Sequence, residues 1–166
     1  MGGPTNVIKI KLRVVDSEGK SPFGINHAEI ESGYFFTELG YDHEMQVGSV
    51  NQRKFSDGHH TSVNAANRAG DFYGTEGRFE IYRGGKKILH VYWNIPPPKG
   101  FLREVDAGDP PNIKISKSAA GPPAWSMPES YELVSVEGLE PVLIVDGNGG
   151  TRWDTTYSGT ITLRIK

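Results

Sequence analysis

Hydrophobic and polar residues alternate along much of this chain with a period of two, the spacing that places successive side chains on opposite faces of a β-strand. Residues 7–15 alternate almost strictly, and one aliphatic face is predicted to point inward: Ile8, Ile10, Leu12 and Val14. Three cations fill the other face. They favour a solvated face that also guards a sheet edge, with contact to lipid phosphate as the alternative. Residues 159–166 repeat the pattern and predict a second such strand.

The strongest prediction is a β-hairpin within residues 71–98. Its first strand has Phe79 and Ile81 on one face. Gly84 and Gly85 then supply the positive φ angles of a tight reversal. The second strand ends at three prolines, because proline cannot donate a hydrogen bond to a sheet. Its predicted inward face consists of Leu89, Val91, Trp93 and Ile95.

The register of this hairpin follows from its apolar faces. A three-residue loop at residues 84–86, with a bulge beside a glycine, is predicted because it leaves one face of both strands wholly apolar. It gives three cross-strand pairs: Ile81 with Leu89, Glu80 with His90 and Phe79 with Val91. Before the hairpin, residues 74–77 are predicted to form a glycine-bracketed turn.

Shorter patterns predict further strands. They are residues 25–36, 45–50, 112–116, 131–136 and 141–145. The last of these is continuously apolar, which indicates a strand that is buried on both faces or one that lies at an interface. Residues 1–6 are predicted to be a loose leader, and residues 119–129, rich in Pro, Ala and Ser, an inserted loop. The whole chain is predicted to be one all-β domain.

Composition limits the classes of function. A chain of 166 residues is long enough for one domain with a real core. A net charge of −2, a pI near 6.2 and scattered cations argue against nucleic acid as a partner. There is no cysteine, which excludes disulfides and thiolate metal sites. Apolar runs are too short for a membrane-spanning helix, and the first residues lack a signal-peptide pattern.

Three patterns suggest chemistry, and each has a simpler interpretation. Adjacent His59 and His60 suggest a metal site, but neighbouring side chains on a strand point to opposite faces, so a solvated loop is favoured. Residues 146–150 resemble part of a calcium loop but lack its later glutamate, so a plain turn is favoured. Glu80 and His90 form an acid and base pair, for which a cross-strand surface contact is favoured.

Enzymatic motifs are missing from the sequence. It contains no nucleophile elbow, Walker loop, zinc-protease motif or dinucleotide-binding glycine pattern. We therefore expect no enzymatic activity, no cofactor and no metal.

Two stretches of the predicted hairpin resemble the signature of the aegerolysin family: G-T-E-G-R-F-E-I at residues 74–81 and V-Y-W-N-I-P at residues 91–96. The step Asn64-Ala65 and the strand G-T-I-T at residues 159–162 are also similar to that family. Aegerolysins are small β-sandwich proteins of fungi and bacteria that bind membrane lipids. The resemblance therefore implies a single all-β domain, an antiparallel β-sandwich with long loops.

The resemblance also implies a lipid-binding surface made of loop aromatics and a few charges. The acidic residue in the family's turn corresponds to Tyr73 here, with Glu76 three residues on. Pro97 stands in the place of the family's second tryptophan. The implied lipid-binding residues are Tyr34, Phe35, Phe72, Tyr73, Glu76, Trp93, Lys99 and Trp125. Two alternatives stay open: the aromatics near Gly33 are core residues at a strand end, and Trp125 caps the core from outside.

The function that the resemblance implies is binding of a membrane lipid with a sphingolipid-type headgroup, such as sphingomyelin or ceramide phosphoethanolamine. It further implies a cytolytic system, hemolytic or insecticidal, in which a perforin-like (MACPF) partner protein makes the pore. Such a protein is expected to be released and to act at the surface of target cells, and a homodimer is a further expectation. The alternative is a carbohydrate- or protein-binding β-sandwich without lytic activity, which the absence of two of the family's loop tryptophans favours.

Overall fold

The computed structural model describes residues 4–15, 22–69, 73–97, 110–117, 131–145, 147 and 149–165. These residues form thirteen β-strands and one helical turn. In chain order the elements are β1 (Val7–Val15), β2 (Phe23–Ser32), β3 (Tyr34–Phe36), β4 (Glu44–Met45), α1 (Val47–Val50), β5 (Lys54–Phe55), β6 (Thr61–Ala66), β7 (Thr75–Arg83), β8 (Lys86–Ile95), β9 (Asn112–Lys117), β10 (Tyr131–Glu137), β11 (Leu143–Val145), β12 (Thr151–Trp153) and β13 (Thr156–Ile165).

Two sheets pack face to face around one core. The six-stranded sheet has the order β10-β13-β1-β6-β3-β4, and the five-stranded sheet has the order β5-β2-β7-β8-β9. Inward side chains from both sheets form a single buried cluster, so the prediction of an all-β sandwich is confirmed. β11 and β12 form a separate two-stranded ribbon. Among the described strands only β1 and β13 pair in parallel, with Val7 opposite Thr156.

The alternation in the first and last described strands builds half of this core. β1 lies between β13 and β6, and its predicted aliphatic face is buried, as are Ile161 and Leu163 of β13. The predicted inward face is confirmed for β1, and for β13 at Ile161 and Leu163. The cations Lys9, Lys11 and Arg13 are exposed, as a solvated face requires. They do not guard a sheet edge, however, because β1 is an interior strand.

The hairpin of β7 and β8 has the predicted register and a different turn. All three predicted cross-strand pairs are present. The loop is shorter than predicted, because Gly84 and Gly85, with φ angles of 58° and 77°, turn the chain in two residues. The register then shifts by one residue next to Ile81, and the extra residue, Ile88, is buried. The turn predicted at residues 74–77 is wrong, since Thr75 already belongs to β7.

The strand predicted at residues 25–36 is divided between the two sheets. β2 belongs to the five-stranded sheet and β3 to the six-stranded sheet. The chain crosses at Gly33, which has a φ of 99° and lies so close to Ala66 that a Cβ would be 2.1 Å from its carbonyl oxygen. Only glycine suits such a crossing.

Two other predicted strands differ from the structure. Residues 45–50 form the end of β4 and the helical turn α1, whose Val50 is buried. A strand there is wrong, because the backbone groups bond locally to the preceding turn, as when the N–H of Asn51 donates to the carbonyl of Val47. In residues 141–145 the strand is exposed, with Val145 67% accessible. Burial on both faces is therefore wrong, and the interface alternative stays open.

Candidate functional site

Two buried asparagines join the two sheets at one end of the sandwich. Oδ1 of Asn67 accepts hydrogen bonds from the backbone N–H groups of Thr5 and Asn6, each at 3.0 Å. The side-chain amide of Asn6 donates to the carbonyl oxygens of Ile95 and Pro96, at 3.1 and 2.7 Å. Asn6 is the last residue of the predicted leader and is fully buried. We name Asn6 and Asn67 the asparagine clamp and their end of the sandwich the clamp end.

Tyr73 lies directly on this clamp. Its carbonyl oxygen accepts a hydrogen bond from Nδ2 of Asn67 at 3.2 Å, and the carbonyl of Gly74 accepts one from the Ser32 hydroxyl at 2.8 Å. Gly74 packs so closely that a Cβ would lie 1.8 Å from the carbonyl oxygen of Ile95. The Tyr73 residue itself is 70% exposed. The clamp end therefore presents an aromatic ring to solvent from a firmly held backbone.

Glu76 is engaged by another residue of the sheet. It lies on the outer face of β7, where its carboxylate accepts a hydrogen bond from the Tyr92 hydroxyl. Burial, and then the hydrogen bond to this carboxylate, raise the pKa of Tyr92 to about 12. A lipid headgroup would have to compete with Tyr92 for Glu76.

Phe35 and Trp93 are core residues. Both are buried, and their rings meet edge to face with centroids 6.1 Å apart. Trp93 points inward because it shares a face of β8 with Val91. Its ring fills the space beside Gly77, where a Cβ would lie 2.5 Å from Cζ2 of Trp93. Direct lipid contact by Phe35 and Trp93 is therefore wrong for this structure, and the core interpretation holds for Phe35.

Tyr34 is covered by an ion pair. The guanidinium of Arg68 lies 5.0 Å from the centre of the Tyr34 ring and donates two hydrogen bonds, of 3.0 and 3.1 Å, to the carboxylate of Glu44. The Tyr34 hydroxyl donates to the carbonyl of Tyr41 at 3.1 Å, and burial raises the pKa of Tyr34. Lipid can reach this ring only if the Arg68–Glu44 pair moves away.

The other three predicted site residues, Phe72, Lys99 and Trp125, lie outside the described residues. Phe72 directly precedes Tyr73, and Lys99 follows the end of β8, so both are close in sequence to the clamp. The strands before and after Trp125 are β9 and β10. β9 ends and β10 begins at the end of the sandwich opposite the clamp.

A depression of about 300 Å³ lies on the outer face of the six-stranded sheet. Its lining residues are Lys9, Phe36, Thr37, Glu38, Gly40, Tyr41, Ser62 and Asn64. Nζ of Lys9 lies 5.7 Å from the centre of the Tyr41 ring, and the Ser62 hydroxyl donates to Glu38 at 2.8 Å. Asn64 is only 6% exposed and contributes its side-chain amide to this lining. An amide can both donate and accept hydrogen bonds.

The titratable groups do not assemble into a reactive centre within the described ranges. No three His, Asp or Glu side chains there are grouped as a metal ion would need. Glu80 and His90 are cross-strand neighbours, but the Glu80 carboxylate accepts a hydrogen bond from the Tyr82 hydroxyl at 2.9 Å and lies 3.5 Å from Nζ of Lys87. Glu80 is therefore part of a surface network with Tyr82 and Lys87, whereas Nε2 of His90 is buried and has no hydrogen-bond partner among the described residues.

Within the described ranges, no helix has the length and apolar character that crossing a bilayer requires.

The family model for Aegerolysin matches residues 8–100, which is more than half of the sequence. The chain belongs to the aegerolysin family. Aegerolysins are non-enzymatic binding proteins, in agreement with the expectation that this protein is not an enzyme. Three residues of the aegerolysin signature, Gly74, Gly77 and Trp93, are the ones that close packing at the hairpin requires.

Two relatives of this aegerolysin differ from it widely in sequence. Asp-hemolysin of Aspergillus fumigatus is 26% identical over 87 residues, which are 52% of this chain and 63% of that protein. This chain therefore covers less than two thirds of Asp-hemolysin. The crystal structure of RahU in complex with Tris has a TM-score of 0.65 at 19% identity, covering 98% of this chain and 96% of RahU.

Two further solved structures share the sandwich. IP-1A from Alcaligenes faecalis has a TM-score of 0.66 at 20% identity, covering 99% of this chain and 94% of IP-1A. Nakanori, described as a lipid-binding protein, has a TM-score of 0.51 at 11% identity, covering 97% of this chain and 72% of Nakanori. At these identities the likeness shows that the aegerolysin fold is shared.

Sequence reasoning missed the asparagine clamp. Asn6 and Asn67 each stand beside an apolar strand, where a lone asparagine predicts only a turn or a strand end. Asn6 and Asn67 are brought together only by the pairing of β1 with β6, which the sequence does not show. β1 and β6 are antiparallel with Val7 opposite Ala66, so the residue before one strand meets the residue after the other.

Proposed function

We propose that this protein binds membrane lipid through the clamp end of its sandwich. The observation that carries the proposal is Tyr73, an exposed ring on a backbone that Asn67 and Gly74 hold in place. Membership of the aegerolysin family supports it. So do the names of two similar proteins, a hemolysin of Aspergillus fumigatus and a lipid-binding protein with the same fold.

The physical argument rests on the properties of tyrosine at an interface. A tyrosine ring is apolar and its hydroxyl is polar, so the side chain is stable where headgroups meet acyl chains. Binding costs little conformational entropy if the ring is already presented before contact. The clamp provides this, because it fixes the Tyr73 backbone to β1, β6 and β8 together.

The lipid we propose has a sphingolipid-type headgroup, as in sphingomyelin or ceramide phosphoethanolamine. A phosphate would be met by a cation such as Lys99, and Phe72 would enter the interface beside Tyr73. Glu76 would meet an amine or choline group once Tyr92 gives up its hydrogen bond. The resemblance of the signature and the family match support this choice of lipid.

We also propose a role in a two-component cytolytic system. In this role the protein is released, binds the target cell as a monomer or homodimer, and recruits a MACPF-type partner that forms the pore. Hemolytic or insecticidal action would follow from the lipids of the target membrane. The family and the name of the Aspergillus relative support a membrane-directed role of this kind.

Vesicle flotation tests the lipid proposal. Vesicles of phosphatidylcholine and cholesterol, with and without sphingomyelin or ceramide phosphoethanolamine, are mixed with the wild type, Tyr73→Ala and Leu39→Ala. Leu39 is 78% exposed but lies in the loop beside Ser62, away from the clamp. Tyr73→Ala is expected to weaken binding about tenfold, the cost of leaving a large ring unburied, and Leu39→Ala to leave it unchanged. Absence of wild-type binding to every vesicle would contradict the proposal.

Dye release from the same vesicles tests the two-component role. The protein alone is expected to bind without releasing dye, and release is expected when a MACPF-type protein from the same genome is added. Release by the protein alone, at the concentration at which it binds, contradicts the need for a pore-forming partner.

The depression on the six-stranded sheet favours a second candidate function, carbohydrate binding. The amide of Asn64, the ring of Tyr41 and the charges of Lys9 and Glu38 lie together there, and sugars are bound by such mixtures of rings and polar groups. A glycan array is expected to show one class of binder that Tyr41→Ala abolishes. A silent array combined with vesicle binding excludes this candidate.

A further inference from the structure

The ribbon of β11 and β12 carries an exposed apolar surface. Val142, Leu143 and Val145 are 48%, 46% and 67% exposed. They lie within four consecutive residues, whereas the other large exposed apolar residues of the described chain are scattered. Adjacent exposed aliphatic side chains indicate a surface that contacts something apolar.

The aliphatic side chains of the ribbon share one face with a tryptophan. Leu143 pairs with Trp153 and Val145 with Thr151. Because side chains alternate along a strand, these four residues project to the same side of the ribbon. That face combines aliphatic residues with an aromatic one, which is the composition of protein segments that lie in the membrane interface.

The base of the ribbon is fixed to the clamp end. The N–H of Val142 donates to the hydroxyl of Tyr157 at 3.1 Å, and the N–H of Asp154 donates to the carbonyl of Val142 at 2.7 Å. The next residue, Thr155, donates its hydroxyl to the carbonyl of Thr5 at 2.7 Å, one residue before the clamp. The ribbon therefore leaves the sandwich at the end that also presents Tyr73.

We propose that the apolar face of the ribbon, Leu143 and Val145 with Val142 at its base, is a second membrane-contacting element. It enters the lipid headgroup layer at the same end as Tyr73. The inference rests on the proposed membrane binding and adds to it an element beyond residues 8–100, the stretch that the family model matches. Two contact points would fix the orientation of the sandwich on the bilayer, which a single ring cannot do.

The backbone of the ribbon limits how deeply it goes. Within the described chain β11 pairs only with β12, so the outer edge of β11 has no sheet partner there. Unpaired backbone groups are too costly in the hydrocarbon core. The aliphatic side chains therefore reach the boundary of the acyl chains while the backbone stays among the headgroups.

A bilayer fits this surface better than a second copy of the chain. β11 and β12 have three residues each, too few for a lasting sheet between two molecules. A stable protein interface buries roughly 1,200–2,000 Å², which three aliphatic side chains cannot supply. A bilayer needs no matching surface, and the ribbon leaves the sandwich at the end that presents the exposed Tyr73.

A single labelled cysteine tests the proposal directly, because the sequence contains no cysteine. The polarity-sensitive dye NBD is attached to Val145→Cys and, as a matched control, to Val134→Cys, which is 39% exposed on β10. On addition of vesicles of phosphatidylcholine, sphingomyelin and cholesterol, emission at position 145 is expected to rise at least about twofold, because the dye leaves water. Emission at position 134 is expected to stay constant.

A paired substitution gives an independent measurement. Leu143→Ser with Val145→Ser is expected to weaken vesicle binding about tenfold while the melting temperature stays unchanged, since both side chains are exposed. Val134→Ser is the matched control and is expected to bind like the wild type.

The outcomes separate this inference from the proposed function. If the wild type binds vesicles but the dye at position 145 is silent and the paired substitution has no effect, the ribbon proposal is overturned and lipid binding stands. If the wild type binds no vesicle of any composition, both are overturned. A dimer in analytical ultracentrifugation that the paired substitution dissociates, with vesicle affinity unchanged, assigns the ribbon to self-association and also overturns the proposal.

Discussion

The indole N–H of Trp93 donates a hydrogen bond to Oγ1 of Thr75, 3.2 Å away, and both residues are fully buried. The bond satisfies the polar atom that a tryptophan carries into a core. The same Oγ1 lies 3.2 Å from the position that a Cβ of Gly33 would take. Trp93 and Thr75 thus lie beside the point where the chain crosses from one sheet to the other.

Replacement of Trp93 is expected to damage the fold before any binding. Trp93→Ala removes a large fully buried side chain and should lower the free energy of unfolding by about 3–5 kcal/mol. Trp93→Phe keeps most of the ring and should cost less. Urea unfolding followed by circular dichroism measures both, with the exposed Tyr73→Ala as a control expected to lie within about 0.5 kcal/mol of wild type. A fully stable Trp93→Ala protein would show that the ring is not in the core.

Gly77 is predicted to tolerate no side chain. A Cβ there would lie 2.5 Å from Cζ2 of Trp93 and 2.8 Å from the carbonyl oxygen of Glu29, so Gly77→Ala should cost about 1–3 kcal/mol of unfolding free energy through overpacking. Gly48→Ala is the matched control, because Gly48 lies in α1 with nothing within 4 Å of its Cβ position. The control should be neutral or slightly stabilising. Equal stability of the two variants contradicts the packing.

The asparagine clamp should show its contribution in hydrogen exchange. Asn67→Ala removes the acceptor of the N–H groups of Thr5 and Asn6, and leaving a buried donor unpaired costs about 1–3 kcal/mol. Amide exchange of these two residues should speed up together with a drop in the melting temperature. Gln52→Ala, at an exposed position, should change neither quantity. If only the melting temperature changes, the clamp is not what protects these amides.

Two tyrosines are expected to ionise at a higher pH than an ordinary tyrosine. The hydroxyls of Tyr82 and Tyr92 donate to the carboxylates of Glu80 and Glu76, and burial followed by these hydrogen bonds raises both pKa values to about 12. Because each pKa is raised above the ordinary value of about 10, the protonated tyrosines stabilise the fold fully when the pH is below about 10. This stabilisation is lost as the pH rises towards 12.

Ultraviolet titration of tyrosinate checks these pKa values. Tyr82→Phe and Tyr92→Phe should each remove one ionisation from the late transition, with circular dichroism confirming that the protein is still folded. An ionisation lost from the early part of the curve instead shows that the hydroxyl in question is not bonded to its carboxylate.

Much of the fold could be predicted from local alternation. The bounds predicted for β1 are those observed, and the pairs around Glu80 and His90 have the expected register. Predictions from local patterns were wrong where contacts with residues distant in sequence determine the conformation. The alternation continues past Gly33, but the close approach of Ala66 makes the chain change sheets there. Val145 lies in an apolar run that is typical of a core strand, yet it is exposed. The sequence does not show which apolar strands are covered by another layer.

The candidate site was predictable only in part. Tyr73 was found by its position in the family signature, and the structure leaves it exposed. Trp93 received two conflicting predictions, since alternation placed it on the inward face of β8 and the resemblance implied lipid contact. In the structure Trp93 is packed in the core. Asn6 and Asn67 carry no pattern of their own, because their partners are backbone groups of distant strands.

The parallel pairing of β1 with β13 has a consequence for how the protein is made. Thr5 and Thr155, which are hydrogen-bonded beside these strands, are 150 residues apart. A nascent chain on the ribosome therefore carries β1 with one flank unoccupied until β13 has been translated. The six-stranded sheet is therefore completed only after β13 has been made. Chaperones that shield an open strand can act on β1 during most of the translation time.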